Sequence, residues 1–361
     1  MRRRKTPRLF YLSLLFFIAS LLILALASRY ERAADFLNEK IGTPIRLALA
    51  RLSGVASFSV AEIIVMLSPL LFGVTIYAGV RSIKRGRAKQ FILGLLALVM
   101  LFSSLYTATL GIAYHTSPIA YRMGFRTVRV TEDDLYLNAA LLIDELNEIS
   151  PLIEYNEYSS VMPYSKEELS EKISLAYDAF LEDYPIFKSD GTLVKRVYLG
   201  DVMASAGLLG MYTYFTGEAN VSFSYPDYLI PETVAHEFAH QRGIAREDEA
   251  GFIAYLVCSY SEDAYIRYSG ALGITEYLIS AVAKTDRKKA SSLYGMMGEG
   301  VLLDVNAYSN FYKKYENSAL RKIARSVNDF YLKSNGTSGV VSYSGVVTHY
   351  ISYRHSLDSD R

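Results

Sequence analysis

A single cysteine, Cys258, stands in 361 residues, so no internal disulfide can staple the fold. It lies in the apolar run from Phe252 to Cys258, where it reads as a small core residue. Tryptophan is absent and histidine is scarce, at five; the aromatic bulk comes from 30 tyrosines and 17 phenylalanines. No internal repeat and no low-complexity linker interrupts the chain. Basic charge is scarce after residue 114. Residues 1–114 carry 15 of the 38 Lys and Arg and 4 of the 37 Asp and Glu, for +11. Residues 115–361 keep 23 and 33, for −10, which the overall +1 conceals. An acidic domain of this kind excludes nucleic acid as a partner, because backbone binding needs clustered Lys and Arg.

Apolar sequence is abundant at the front. Three stretches are long enough to cross a bilayer, which takes about 20 residues. They run from about 9 to 27, 61 to 80 and 91 to 113, and predict a membrane anchor over 1–114 whose partner is the lipid bilayer. The first is read as an uncleaved span rather than a signal peptide, since charged Arg29 and Arg32 and two more spans follow it. Basic residues crowd the N-terminal MRRRKTPR and the loop holding Arg81, Lys84, Arg85, Arg87 and Lys89. Both flanks are expected in the cytoplasm. Three spans that start inside then leave residues 115–361 as an extracytoplasmic domain.

That domain is expected to be mainly helical, of α+β type. Thr131 precedes Glu132, Asp133 and Asp134, a helix start with acids at the positive end of the dipole. Ser165 and Glu168 form a capping-box pattern. Asp190-Gly191 marks a turn, and Thr275 and Asn317 are candidate caps. Strands are expected over 194–199 and 221–225, and Pro231 suits the first turn of a following helix. Asn335-Gly336 stops a helix, while 340–353 fits strand or helix equally.

Residues 234–243 read VAHEFAHQRG. His236 and His240 are four apart, so on a helix they leave one face a turn apart. That spacing lets two imidazoles hold one Zn²⁺ at about 2.0–2.1 Å each. Glu237 sits beside the pair, where it can act on a zinc-bound water without being a ligand: the H-E-x-x-H pattern. Gly243 can take the left-handed conformation that ends a helix and lets the chain turn back. REDEAGFIAYLVC then follows, and a carboxylate at the start of that helix would face the histidines. Glu247 is the expected third ligand, with Glu249 as the alternative; Asp248 points elsewhere on the helix.

The motif resembles the zincins, and among them the gluzincins, whose third ligand is a glutamate on a following helix. Glu247-Asp248-Glu249-Ala250 matches that pattern through its alanine, and Gly251 departs from it. The resemblance implies a zincin-like metalloprotease domain. It also offers two readings of the segment 217–225, GEANVSFSY: an edge strand that holds substrate backbone, or an ordinary strand. His349 and Tyr343, in the C-terminal segment, are candidates to stabilise the transition state; His115 and His355 stay unassigned. The whole chain also resembles an uncharacterised bacterial membrane-protein family, DUF3810, in its anchor layout, AHEFAHQ, EDEA and a tail like FYLKSNG–GVVSY. The expected activity is hydrolysis of peptide or amide bonds in an unknown peptide or protein substrate. Zn²⁺ would polarise the carbonyl, and Glu237 would take the proton of water and pass it to the leaving amine. The alternative is a zinc-stabilised, non-catalytic binding or sensor module tethered to the membrane.

Overall fold

A computed structural model describes residues 8–187, 192–316 and 318–359. The first four basic residues of the N-terminal tail, the Asp190-Gly191 turn and the Asn317 cap lie outside the described residues. The chain is mainly helical and divides into two compact units. One comprises residues 1–116 with 213–218; the other comprises 117–212 and 219–361.

The first unit contains α1 (Arg8–Arg29), α2 (Glu31–Leu37), α3 (Thr43–Gly54), α4 (Val60–Lys84) and α5 (Ala88–Tyr106). α1, α4 and the helical stretch Ala88–His115 are long and apolar enough to cross a membrane. They expose large apolar side chains along most of their length, with Leu15 64% and Phe72 68% accessible, which water would penalise. α1 packs along α5, and α4 also touches α5. The connection between α1 and α4 is itself folded. Arg46 in α3, a loop charge by sequence, is fully buried; it donates to the Thr109 carbonyl at 2.6 Å and to Asn38 Oδ1 at 2.9 Å. Glu218 caps the start of α4 by accepting the backbone N–H groups of Val60 at 2.9 Å and Ala61 at 2.8 Å.

The second unit follows with α6 (Ile119–Arg122), α7 (Glu132–Ile149), α8 (Lys166–Asp183) and α9 (Gly200–Ala206). Next come α10 (Leu229–Gln241), α11 (Glu247–Ser259), α12 (Ala264–Thr285) and α13 (Arg287–Tyr294). α14 (Glu299–Tyr315), α15 (Ala319–Ser334) and α16 (Val346–Ser359) complete the helices. Thr131–Asp134 and Ser165–Glu168 both close as reciprocal capping boxes, each worth about 1 kcal/mol of helix stability. α10, α11 and α12 pack on one another over a shared core that includes Phe238, Phe252, Ile253, Ile266 and Leu272. α8 closes one side, where the buried Tyr177 hydroxyl donates to the Ala235 carbonyl at 2.7 Å. Cys258 is fully buried in this core.

Three short strands form a sheet of order β1–β3–β2: β1 (Lys195–Arg196), β2 (Gly210–Thr213) and β3 (Glu218–Val221). β1 and β3 are parallel, with Lys195 opposite Asn220 and Arg196 opposite Val221. Three expectations are corrected here. Segment 217–225 is not an edge strand: β3 is the middle strand, its four residues are buried, and the chain turns away after Val221. The strand over 194–199 shortens to two residues. Thr275 caps nothing; it is buried inside α12, and its hydroxyl bonds the Ala271 carbonyl at 2.7 Å. The undecided segment 340–353 is 3₁₀ helix over Gly339–Gly345 and then α16.

Candidate metal centre

α10 is built to present its polar face to a turn. Pro231 lies in its first turn, where the missing N–H removes no helix bond. At its end Gly243 takes φ +96°, and the backbone N–H groups of Gly243 and Ile244 return to the carbonyls of His240 and Ala239. A side chain at 243 would be strained in that conformation. Three residues later α11 begins with Glu247, Asp248 and Glu249, acids in the first turn where the helix dipole favours them.

The reversal brings three donor atoms together. His236 Nε2 lies 3.1 Å from His240 Nε2 and 3.2 Å from Glu247 Oε2; His240 Nε2 lies 3.3 Å from the same oxygen. Ligands of a tetrahedral zinc with bonds of about 2.0–2.1 Å stand ~3.3 Å apart, so the triangle fits that ion. His240 Nδ1 sits 2.7 Å from the Ile244 carbonyl; an N–H there is its donor, which leaves Nε2 with a lone pair in the neutral ring. Side-chain exposures of 16%, 10% and 12% for His236, His240 and Glu247 leave the triangle largely buried but still in reach of solvent. No fourth His, Cys, Asp or Glu joins the group among the described residues.

The electrostatics suit a cation. Burial alone would raise the Glu247 carboxyl and lower both imidazoles. The imidazoles of His240 and His236 hold Glu247 well below the usual carboxylate range. Glu247 in turn outweighs burial at His240 and lifts it to about 9, while burial prevails at His236 and lowers it.

Glu237 is fully inside the domain, beneath β2. It accepts the backbone N–H of Tyr212, and its Oε2 is buried without a hydrogen-bond partner. Burial pushes its carboxyl up to about 8. The room for it exists because residue 210 is glycine: a Cβ there would stand 2.4 Å from Glu237 Oε1 and 2.7 Å from Cγ. The edge strand beside the site is therefore β2, which sequence pattern alone did not reveal.

The remaining candidates separate. Glu249 turns from the triangle: its Oε1 accepts the Ile119 N–H at 2.8 Å and pairs with Arg246 at 2.6 Å. Asp248 faces the C-terminal segment, where its Oδ2 is 3.5 Å from His349 Nε2. His349 Nδ1 is buried without a partner, and its ring packs near Phe252. Tyr343 lies on the 3₁₀ turn against α11. Burial raises its phenol, and the charges of Glu247 and Glu237 raise it further, so the hydroxyl keeps its proton beside the site. His355 pairs with Asp134 at 3.2 Å on the surface.

A model of the family described as "Protein of unknown function (DUF3810)" matches residues 38–351. Searches of curated proteins and of solved structures give no match. The family match spans the second and third apolar helices, the His236–His240–Glu247 triangle and the start of α16, and the chain belongs to the DUF3810 family.

Proposed function

We propose that this protein is a membrane-anchored, zinc-dependent endopeptidase with a zincin-like domain outside the cytoplasm. One observation carries the reading: two imidazole nitrogens and a carboxylate oxygen converge at zinc spacing, beside a buried carboxylate with a free oxygen. His236, His240 and Glu247 would hold the ion. Zinc would lower the pKa of a water and polarise the scissile carbonyl.

The chain's own groups do the rest. Glu237 is held on one side by the Tyr212 N–H and keeps Oε2 free. It is the base that takes the proton of the attacking water, and it returns that proton to the leaving amine. β2 supplies an edge along which an extended peptide can lie, with Gly210 over the base. The Tyr343 hydroxyl, kept protonated by its surroundings, would be the donor to an oxyanion. His349 has its Nε2 on Asp248, a position that supports the C-terminal segment rather than the reacting bond. A structural zinc site is closed by four protein ligands, and three donors converge here among the described residues, which favours the enzyme over a tethered binding module.

The test is metal content. The full chain purified in detergent should carry about one zinc, and His236→Ala or His240→Ala should carry none. Full occupancy in both variants removes the site.

A further inference from the structure

Glu232 stands four residues before His236 on α10, on the same face and one turn earlier. Its side chain lies over α12 at Gly273, where an added Cβ would sit 3.4 Å from Glu232 Cγ and 3.6 Å from Cδ. Glu276 and Tyr277 follow Gly273 by three and four residues, on the same face of α12. Gly273, Glu232 and Glu276 are half-buried and Tyr277 is 39% exposed, while Ile274, Thr275 and Leu278 between and beside them are buried. The four residues therefore form a partly exposed patch where α10 packs on α12. Glu232 is one turn from His236 on the same face of α10, which sets this patch beside the metal centre.

The two carboxyls lack a counter-charge. Among the described residues no Lys, Arg or His pairs with either. Glu276 accepts one hydrogen bond, from the buried Tyr228 hydroxyl at 3.3 Å. The Glu232 carboxyl accepts none; only its backbone N–H is engaged, by Ser269 Oγ. Burial raises both carboxyls to about 7, and the charge of Glu276 adds to this at Glu232. Two partly desolvated carboxylates on neighbouring helices are costly, and a bound cation offsets that cost. Tyr277 adds an aromatic face suited to the same charge.

Building on the metallopeptidase reading, we propose that Glu232, Glu276 and Tyr277 form a subsite that selects substrates bearing an ammonium or guanidinium group next to the scissile bond. One helical turn rises about 5.4 Å and one extended residue about 3.3 Å, so the cation belongs one or two residues from the cleaved bond. Two sources share this chemistry: a Lys or Arg side chain, and a peptide N-terminus.

The experiment uses the zinc-loaded full chain in detergent and matched peptides. Lysine is compared with norleucine, arginine with citrulline, and free with acetylated N-termini. Charge-assisted pairing predicts a preference of about ten- to hundredfold in kcat/KM for the cationic member. The ratio should fall to near one in Glu232→Gln/Glu276→Gln, with zinc content unchanged. Preference confined to free N-termini assigns the subsite to the terminal amine, and preference for Lys or Arg assigns it to a side chain. Turnover without any charge preference, or a preference that survives in the double variant, overturns the subsite and leaves the peptidase standing. A second readout does not need turnover: agmatine at millimolar concentration should raise the Tm of the wild type and not that of the double variant. A rise in the wild type alone, with no peptide cleaved, supports the subsite and contradicts the peptidase. No rise in the wild type, or an equal rise in both, overturns the subsite.

Discussion

At the residue scale, the proposed metal triangle depends on what each donor residue does with its other atoms. His240 offers Nε2 because Nδ1 is occupied by the Ile244 carbonyl, a bond made possible by the backward turn at Gly243. The neighbouring acids of α11 have different tasks. Glu247 faces both imidazoles, whereas Glu249 ties Arg246 and the Ile119 N–H to the start of the helix. Their variants should therefore dissociate. Glu247→Ala should lose most of the zinc while the domain stays folded. Glu249→Ala should keep the zinc and lose about 2 kcal/mol of stability, because the buried Ile119 N–H and the Arg246 guanidinium both lose the carboxylate they share. Zinc content and Tm measured on both variants check this, and zinc loss confined to Glu249→Ala would reverse the assignment. Sequence spacing placed both acids near the histidines but could not separate them. Their separation comes from the contact with residue 119, which lies far away in the chain.

At the element scale, β2 and α10 work as a pair. β2 passes so close to Glu237 that only glycine fits at 210. Gly210→Ala must push the strand or the carboxylate aside, and a displacement near 1 Å can cost about a hundredfold in rate. A fall in kcat of about ten- to hundredfold is expected, with zinc retained; unchanged kcat would show that the carboxylate does not act from beneath this strand. The helices were legible because local chemistry marks them: Thr131 and Ser165 cap, Gly243 stops, and the apolar residues repeat at helical spacing. The sheet was not. β2 has four residues, too few to show alternation, and β1 has two. Their strand character comes from pairing with β3, a contact that a local pattern does not contain. Thr275 reads as a cap by residue type, yet it closes a side-chain bond to Ala271 inside a long helix.

At the scale of the whole molecule, hydropathy and charge change near residue 114, and the two compact units divide close by, after residue 116. The exception is the short segment 213–218, which clusters with the anchor although it connects two strands of the sheet. Its Glu218, the first residue of β3, caps α4, so the sheet segment also serves one of the long apolar helices. Nothing in GEANV marks that role, because the partner N–H groups lie about 160 residues earlier in the chain. The positive flanks predict that the domain lies outside the cytoplasm. A reporter fused after residue 120 should be active only in an extracytoplasmic form; activity confined to the cytoplasmic form would invert the anchor.

The central claim is that Glu237 is the base of a zinc hydrolase, and one paired measurement tests it. Zinc content and turnover of an unbiased peptide library are compared for the wild type and Glu237→Gln. Glutamine keeps the size and the bond from Tyr212 but cannot take a proton. General base catalysis contributes about 10²–10⁴-fold, so hydrolysis should fall by at least about two orders of magnitude while zinc stays at about one per chain. Equal turnover by both proteins, each with its zinc, would contradict the account.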